Sequence, residues 1–210
     1  MRKKIGYLCI ALGIACLIGA VGIVLYNRSE ADMAAQLSQT LLEDVQQLIA
    51  EKKPQEGDNQ ESEKDTVAPE DPIENAPKEM ATVKTGSYDC IGILSIPVLK
   101  LELPVLTDWS YAKLKKAPCL YYGSYYDKDF VIAAHNYWSH FGRLSQLQPG
   151  DVVIFTDVNG NAYYYEVVLL ETLQKEATEE MITSGFALSL YTCTPGGGSR
   201  VTVRCKAKGL

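Results

Sequence analysis

Hydrophobic and polar residues alternate near the C-terminus, in the stretch 186–206. A period of two predicts β-strands, because successive side chains of a strand point to opposite faces of a sheet. Residues 194–199, between the two apolar runs, contain one proline and three glycines and predict a tight reversal of the chain. If both apolar faces contact one core, Cys193 and Arg200 lie side by side on the opposite face.

Short apolar runs separated by turn residues continue from residue 88 onward and predict an all-β domain. The pattern predicts further strands at 90–96, 101–106, 130–135, 152–156 and 162–173. The last two are joined through an Asn-Gly pair at 159–160, which is a strong signal for a β-hairpin. Short helical segments are predicted at 110–116, with Ser110 as the N-cap, and at 141–147.

The N-terminus predicts a membrane anchor. Residues 5–26 form a run of 22 uncharged residues after the basic flank at 1–4. A helix of that length is roughly 33 Å long, which is enough to cross the hydrocarbon core of a bilayer. The basic flank predicts a single-pass protein of the cell membrane, with its N-terminus in the cytoplasm and the rest outside. A cleavable signal peptide is the alternative, but its apolar stretch would be only about 7–15 residues long.

The sequence divides into four parts, of which 1–27 is the cytoplasmic flank and anchor. Apolar residues at helical spacing predict an amphipathic stalk helix at 28–53. Residues 54–86 are predicted to be a disordered acidic linker, because 54–80 hold nine acidic residues, two lysines and four prolines. The rest, 87–210, is the globular domain. Residues 54–80 carry a net charge of −7 and the whole chain −6, so the acidity belongs to the linker and no binding surface is inferred from it.

Three residues carry the chemistry in this pattern. A thiol at position 193 beside the guanidinium of Arg200 is biased toward the thiolate. The motif Ser-Leu-Tyr-Thr-Cys at 189–193, with Arg200 on the next strand, resembles the sortase signature Thr-Leu-x-Thr-Cys, with serine in place of the first threonine. The family also has a histidine at the end of an earlier apolar strand, and Phe-Val-Ile-Ala-Ala-His-Asn at 130–136 supplies His135.

The resemblance to sortases implies a fold and a reaction. The implied fold is a closed eight-stranded β-barrel with short helices. Cys193 is the implied nucleophile, His135 the general acid and base, and Arg200 the group that holds substrate and stabilises the oxyanion. Arg204 lies on the same strand face but about 13 Å farther from the turn, so it is predicted to be dispensable for catalysis. Substrate contacts are predicted for Ser189, Thr192 and Asn136.

The resemblance also implies substrates. They are secreted proteins with a Leu-Pro-x-Thr-Gly-like signal near the C-terminus, and the acceptor is an amine of the peptidoglycan precursor or cross-bridge. Specificity is expected to lie in the loop 172–185. The subclass stays open, because the His-Asn pair at 135–136 resembles class B while the compact spacing over 141–161 resembles classes D or E.

Two other functions remain possible on the sequence alone. An L,D-transpeptidase is also a β-rich cysteine enzyme of the cell wall, but its arginine follows the cysteine by two residues, where this chain has Pro195. The second alternative is a non-catalytic wall-binding module on a stalk. Nucleic-acid binding is not predicted, because the tyrosines at 163–165 have no accompanying basic patch.

No metal or cofactor is predicted. The acidic candidates for calcium do not follow the spacing of a dedicated calcium loop; they are Asp127, Asp129, Glu176, Glu179 and Glu180. Of the six cysteines, Cys9 and Cys16 fall in the apolar segment. Because the nucleophile must stay reduced, at most one disulfide is possible among the other three, and Cys119 and Cys205 are predicted to be buried thiols.

Overall fold

The computed structural model describes residues 2–52 and 79–209. The described part contains three α-helices and nine strands. The helices are α1 (Arg2–Lys52), α2 (Tyr111–Leu114) and α3 (Thr178–Ile182). The strands are β1 (Val83–Thr85), β2 (Tyr88–Ile96), β3 (Leu101–Leu106), β4 (Cys119–Tyr122), β5 (Phe130–Ala133), β6 (Val152–Asp157), β7 (Ala162–Gln174), β8 (Leu188–Cys193) and β9 (Ser199–Ala207).

Eight of these strands close into a barrel, as predicted. The order around it is β2-β3-β4-β5-β8-β9-β7-β6, and β6 pairs back to β2. The pairs β3–β4 and β5–β8 are parallel and the others are antiparallel. Strand β1 pairs with the first half of β2 and stays outside the ring. Closure leaves the barrel strands without free edges over most of their length, which protects them from pairing with other chains.

The barrel interior is filled by apolar side chains at the alternating positions that the sequence predicts. Leu188 and Leu190 of β8 and Val203 and Cys205 of β9 are buried in this core. The closing pair β2–β6 requires glycine at position 92, because a Cβ there would lie 2.1 Å from the carbonyl oxygen of Thr156. Its φ of +156° is also one that residues with side chains rarely adopt.

Helix α1 is continuous over the predicted anchor and stalk. No proline interrupts residues 2–52, so the helix has no breaker where the two predicted segments meet. Its N-terminal part is long and apolar enough to cross a membrane, with a mean hydropathy of 1.6 over the best 18-residue window and none of that window buried. Its C-terminal part packs on the barrel through Ala34, Leu41, Leu42 and Val45.

Several predicted boundaries differ from the structure. The domain begins earlier than residue 87, because β1 lies within the predicted linker; residues 53–78 of that linker lie outside the described part. Strand β4 was not predicted. Strand β5 ends at Ala133, so His135 follows the strand and is not its last residue. The helix predicted at 141–147 is only a 3₁₀ turn, Leu144–Gln146, whereas the N-cap at Ser110 is confirmed by its acceptance of a hydrogen bond from the amide of Lys113.

Candidate active site

Three neighbouring strands bring the predicted catalytic residues to one end of the barrel. In the antiparallel pair β8–β9, Cys193 lies directly opposite Arg200. In the parallel pair β5–β8, Ala133 lies opposite Tyr191. Beyond the end of β5, Ala134 stays bonded to β8, because its amide donates to the carbonyl of Tyr191 at 3.2 Å and its carbonyl accepts from the hydroxyl of Thr192 at 2.8 Å, so His135 follows beside the end of β8. Because neighbouring strands are about 4.8 Å apart, the three residues occupy adjacent positions in the order His, Cys, Arg.

Cys193 and Arg200 lie on the outer face of the barrel. Alternation directs Leu190 and Val203 into the core, which leaves Cys193 and Arg200 on the other face. A second apolar cluster covers this outer face below the thiol. Its buried members are Val131, Leu173 and Met181, with Tyr121, Ala177, Ile182 and Tyr191 packed around them. The thiol is therefore half-buried and sits at the edge of an apolar patch.

The turn after Cys193 has the tight geometry that its glycines predict. The amide of Thr194 donates to the carbonyl of Ser199 at 2.9 Å, and the amide of Gly197 donates to the carbonyl of Thr194 at 2.8 Å. Arg200 is held against this turn, because its Nη1 atom donates to the carbonyls of Gly197 and Ser199, each at 3.1 Å. These bonds fix the guanidinium at the level of the thiol and leave its other donors for a substrate.

His135 is half-buried and stacks on Tyr137, with ring centroids 4.1 Å apart and an interplanar angle of 15°. Its buried Nδ1 atom has no hydrogen-bond partner among the described residues. Burial lowers the pKa of His135, and the side chain of Asn136 opposes that shift. The imidazole is thus oriented by its neighbours, and its burial favours the neutral form.

Sequence reasoning missed two charged residues beside His135. Glu30 of α1 and Lys115, which follows α2, form an ion pair with Nζ and Oε1 3.2 Å apart. The positive charge of Lys115 lowers the pKa of His135 and the negative charge of Glu30 raises it. Tyr26 also donates to Glu30, at 3.1 Å. Glu30 and Lys115 are 85 positions apart in the chain, so no local sequence pattern could have predicted their ion pair.

Arg204 is a buried residue that connects several elements of the barrel. Its side chain is only 2% exposed. Its Nε donates to Glu171 at 2.7 Å, Nη1 to the hydroxyl of Ser189 at 2.9 Å, and Nη2 to the carbonyl of Glu180 at 2.8 Å. These contacts tie β9 to β7, to β8 and to α3, which supports the loop predicted to govern specificity.

Two of the three predicted substrate contacts are not favoured by the structure. Ser189 is fully buried and accepts the hydrogen bond from Arg204. Thr192 is buried, and its hydroxyl donates to the carbonyl of Ala134 at 2.8 Å, which fastens β8 to the end of β5. Both hydroxyls are bonded to neighbouring strands inside the protein. Asn136 is half-exposed beside His135 and stays a candidate.

The predicted specificity loop lines two openings. A cavity of about 610 Å³ lies between β7, α3 and the segment before β8; four glutamates and Arg204 contribute to its wall, and neither Cys193 nor His135 does. A much smaller cleft is bordered by Tyr121, Tyr191 and Arg200 together with residues of the loop, and Arg200 is the residue opposite Cys193. The loop therefore reaches the site at Arg200.

The chain is similar to known sortases. The sortase domain model matches residues 94–208, more than half of the chain. Sortase D of Bacillus subtilis (strain 168) is 29% identical over 201 residues, covering 93% of this chain and 90% of that protein.

Solved sortases have the same fold. A Clostridium perfringens sortase D5 transpeptidase has a TM-score of 0.58 at 18% identity, over 83% of this chain and 99% of that chain. Sortase A from Corynebacterium diphtheriae has a TM-score of 0.53 at 22% identity, over 59% of this chain and 63% of that chain. The chain therefore belongs to the sortase family of transpeptidase enzymes.

Proposed function

We propose that this protein is a membrane-anchored cysteine transpeptidase that cleaves a Leu-Pro-x-Thr-Gly-like sorting signal and joins the new carboxyl end to an amine of the cell wall. The observation that carries the proposal is the pairing of Cys193 with Arg200 on a sortase barrel, with His135 just beyond the end of the neighbouring strand β5. Family membership favours this function over an L,D-transpeptidase or a non-catalytic wall-binding module.

The reaction has two halves. The Cys193 thiolate attacks the backbone carbonyl carbon of the threonine, and the resulting oxyanion accepts hydrogen bonds from Arg200. When the C–N bond breaks, the imidazolium of His135 gives its proton to the leaving amine and a thioester remains. An incoming amine then attacks the thioester and loses a proton to His135. The C–S bond breaks and the Cys193 thiolate is restored, so protons and electron pairs balance over the cycle.

The N-terminal half of α1 is proposed to be an uncleaved anchor, with residues 1–4 in the cytoplasm and the barrel outside. The length and exposure of the apolar helix support this, and so does the basic flank. The similarity to sortase D extends over 93% of the chain and favours class D over class B. The proposed partners are secreted proteins with a sorting signal, the peptidoglycan amine and the membrane.

The test is turnover of a panel of fluorogenic Leu-Pro-x-Thr-Gly-like peptides by the full chain in detergent micelles. Cys193→Ala should lower turnover by about a thousandfold or more, because the nucleophile is lost. Cys205→Ala is the matched control, since that thiol lies in the barrel core, five residues along β9 from Arg200, and it should keep turnover.

The intermediate should also be seen directly, as a mass increase of the acyl group on wild type in the absence of an amine. Retained cleavage by Cys193→Ala would remove the nucleophile assignment. Failure of the wild-type chain to cleave any peptide of the panel would remove the proposed signal and leave the family unaffected.

A further inference from the structure

Tyr137, in the loop after β5, contacts both histidines of the chain. Its ring lies nearly parallel to that of His135, with centroids 4.1 Å apart and an interplanar angle of 15°, and its centroid is 5.6 Å from that of His140. A separation of 4.1 Å is within the distance at which the face of an aromatic ring attracts a cation. The proposed general acid therefore has the electron-rich face of a phenol against one side of its imidazole.

The backbone of this loop is fixed without help from the Tyr137 ring. The carbonyl of Tyr137 accepts hydrogen bonds from the amides of His140 at 3.0 Å and Gly142 at 2.9 Å. The carbonyl of His135 accepts from the amide of Phe141 at 3.2 Å, and the Phe141 side chain is fully buried in the barrel core. A change of the Tyr137 side chain should therefore leave the path of the loop intact, so that it tests the ring alone.

Tyr137 also lies beside the ion pair that joins α1 to the barrel. Burial raises the pKa of Tyr137, the negative charge of Glu30 raises it further, and the positive charge of Lys115 lowers it. Both charges therefore act on the half-buried phenol, and their Nζ and Oε1 atoms are 3.2 Å apart. The ring thus has the ion pair and both histidines as neighbours, which restrict its rotation.

The imidazole of His135 depends on packing for its orientation. Its buried Nδ1 atom has no hydrogen-bond partner among the described residues, so no bond to that nitrogen fixes the plane of the ring. The parallel face of Tyr137 is a contact that can fix it. We propose that Tyr137 is a positioning residue, whose ring holds the His135 imidazole in its plane beside the end of β8 and stabilises the imidazolium. This role rests on the proposed function, in which His135 is the general acid and base.

The tyrosine acts together with the charges around His135. The titratable and charged groups near this histidine are Glu30 of α1, Lys115 after α2, His140 of the same loop and Cys193 at the end of β8. Burial lowers the pKa of His140 to about 4, so this second imidazole is neutral at physiological pH and does not repel an imidazolium. Glu30 and Lys115 act with opposite signs. The ring face adds a cation–π attraction, which exists only while His135 is protonated.

Three variants of the full chain in detergent micelles test this role. Tyr137→Leu removes the ring, and Tyr137→Phe keeps the ring and removes the hydroxyl. Trp138→Leu is the matched control, because that neighbouring ring is 70% exposed and contacts Arg143. NMR of labelled histidines should show the His135 ring protons displaced upfield by the stacked ring in the wild type, Tyr137→Phe and Trp138→Leu. Tyr137→Leu should lose this displacement, and the pKa of His135 should fall by roughly 0.5, because the cation loses the ring face.

The same variants should differ in the rate at which the thioester forms. With the best peptide of the panel, single-turnover acylation of Cys193 should be about ten- to a hundredfold slower in Tyr137→Leu, because a displaced general acid no longer meets the leaving amine. Tyr137→Phe should stay close to the wild type, and Trp138→Leu should match it. The alkaline limb of the pH profile of Tyr137→Leu should lie at lower pH, since its imidazolium loses the proton more readily.

Loss of the upfield displacement and slower acylation in Tyr137→Leu, with both retained in Tyr137→Phe, support the positioning role. Unchanged His135 signals in Tyr137→Leu, or acylation at the wild-type rate, would overturn it. A Tyr137→Phe variant as impaired as Tyr137→Leu would overturn it too, since the hydroxyl and not the ring would then matter. Tyr137→Met gives the same comparison should circular dichroism show that the leucine variant does not fold. The NMR measurement needs no substrate, so a wild type that cleaves no peptide removes the proposed function, and the His135 signals still decide whether the ring positions the imidazole.

Discussion

Arg200 and Arg204 lie on one face of one strand and are in different surroundings. Arg200 is half-buried, holds only the turn carbonyls and lies opposite the thiol. Arg204 is buried and lies opposite Ser189, with its donors used by protein acceptors. The first arrangement suits a group that binds a reacting oxygen, and the second suits a group that holds strands together.

Substitution of each arginine by lysine should separate these roles. Arg200→Lys should lower kcat/KM by about a hundredfold or more with little effect on unfolding, because an ammonium does not reproduce the planar fork of donors. Arg204→Lys should instead lower the free energy of unfolding by about 2–4 kcal/mol, because buried acceptors lose their partners. Peptide kinetics and urea unfolding of both variants measure this. A fully stable Arg204→Lys protein without activity would contradict the register-based assignment.

The residues of the site were predictable where the pattern is local. Alternation and a six-residue turn fix the register of β8 against β9, so the pairing of Cys193 with Arg200 follows from sequence. The burial of Ser189 and Thr192 does not follow, because it depends on Arg204 and on the end of β5, which come together only in the closed barrel. A hydroxyl near a nucleophile does not show by itself whether it faces substrate or a neighbouring strand.

At the scale of elements, α1 combines the proposed anchor with a part of the active-site surroundings. The helix brings Glu30 to Lys115, and this pair acts on His135 with two opposite charges. Removal of either charge leaves the other uncompensated, so the two substitutions should shift the pKa of His135 in opposite directions.

Glu30→Gln should lower the pKa of His135, and Lys115→Gln should raise it. The reason is that the carboxylate favours the imidazolium and the ammonium disfavours it. The alkaline limb of the pH dependence of kcat/KM, where the imidazolium loses its proton, should move to lower pH in the first variant and to higher pH in the second. NMR titration of the imidazoles checks the cause directly, since the chain has only two histidines and burial lowers the pKa of His140 to about 4. Shifts of the same sign in both variants would contradict an electrostatic effect.

Some secondary-structure elements were predictable from the sequence and others were not. The apolar and amphipathic segments of α1 were recognisable from their periodicity, and the absence of a breaker between them explains their fusion. Strand β4 has only four residues and no clear alternation, so its pattern is too short to distinguish it from a loop. The predicted helix at 141–147 contains Gly142, and glycine weakens a helix interior.

At the scale of the whole molecule, the barrel depends on one close approach. Gly92 lets β2 lie against β6, and that pairing closes the ring. A glycine inside an apolar strand is a sequence signal for such an approach. The identity of the partner strand is not in the pattern, because β2 and β6 are far apart in the chain; the count of eight strands came from the resemblance to sortases.

Gly92→Ala should lower the free energy of unfolding by about 3 kcal/mol or more, because the new methyl group collides with the backbone of Thr156. Gly198→Ala is the matched control, since a Cβ there meets no atom within 4 Å, and it should unfold like the wild type. Urea unfolding of the full chain in micelles, followed by circular dichroism, measures both. Equal stability of the two variants would show that the β2–β6 approach is looser than described.

The burial of the barrel's other thiols bears on how the protein responds to an oxidant. Burial raises the pKa of Cys90 to about 11 and those of Cys119 and Cys205 to about 12. Disulfide exchange proceeds through the thiolate, so at neutral pH these three are poor partners for Cys193. An oxidant arriving from solvent would therefore convert Cys193 to a sulfenic acid, which a small thiol can reverse, and would not trap it in an internal disulfide with another cysteine.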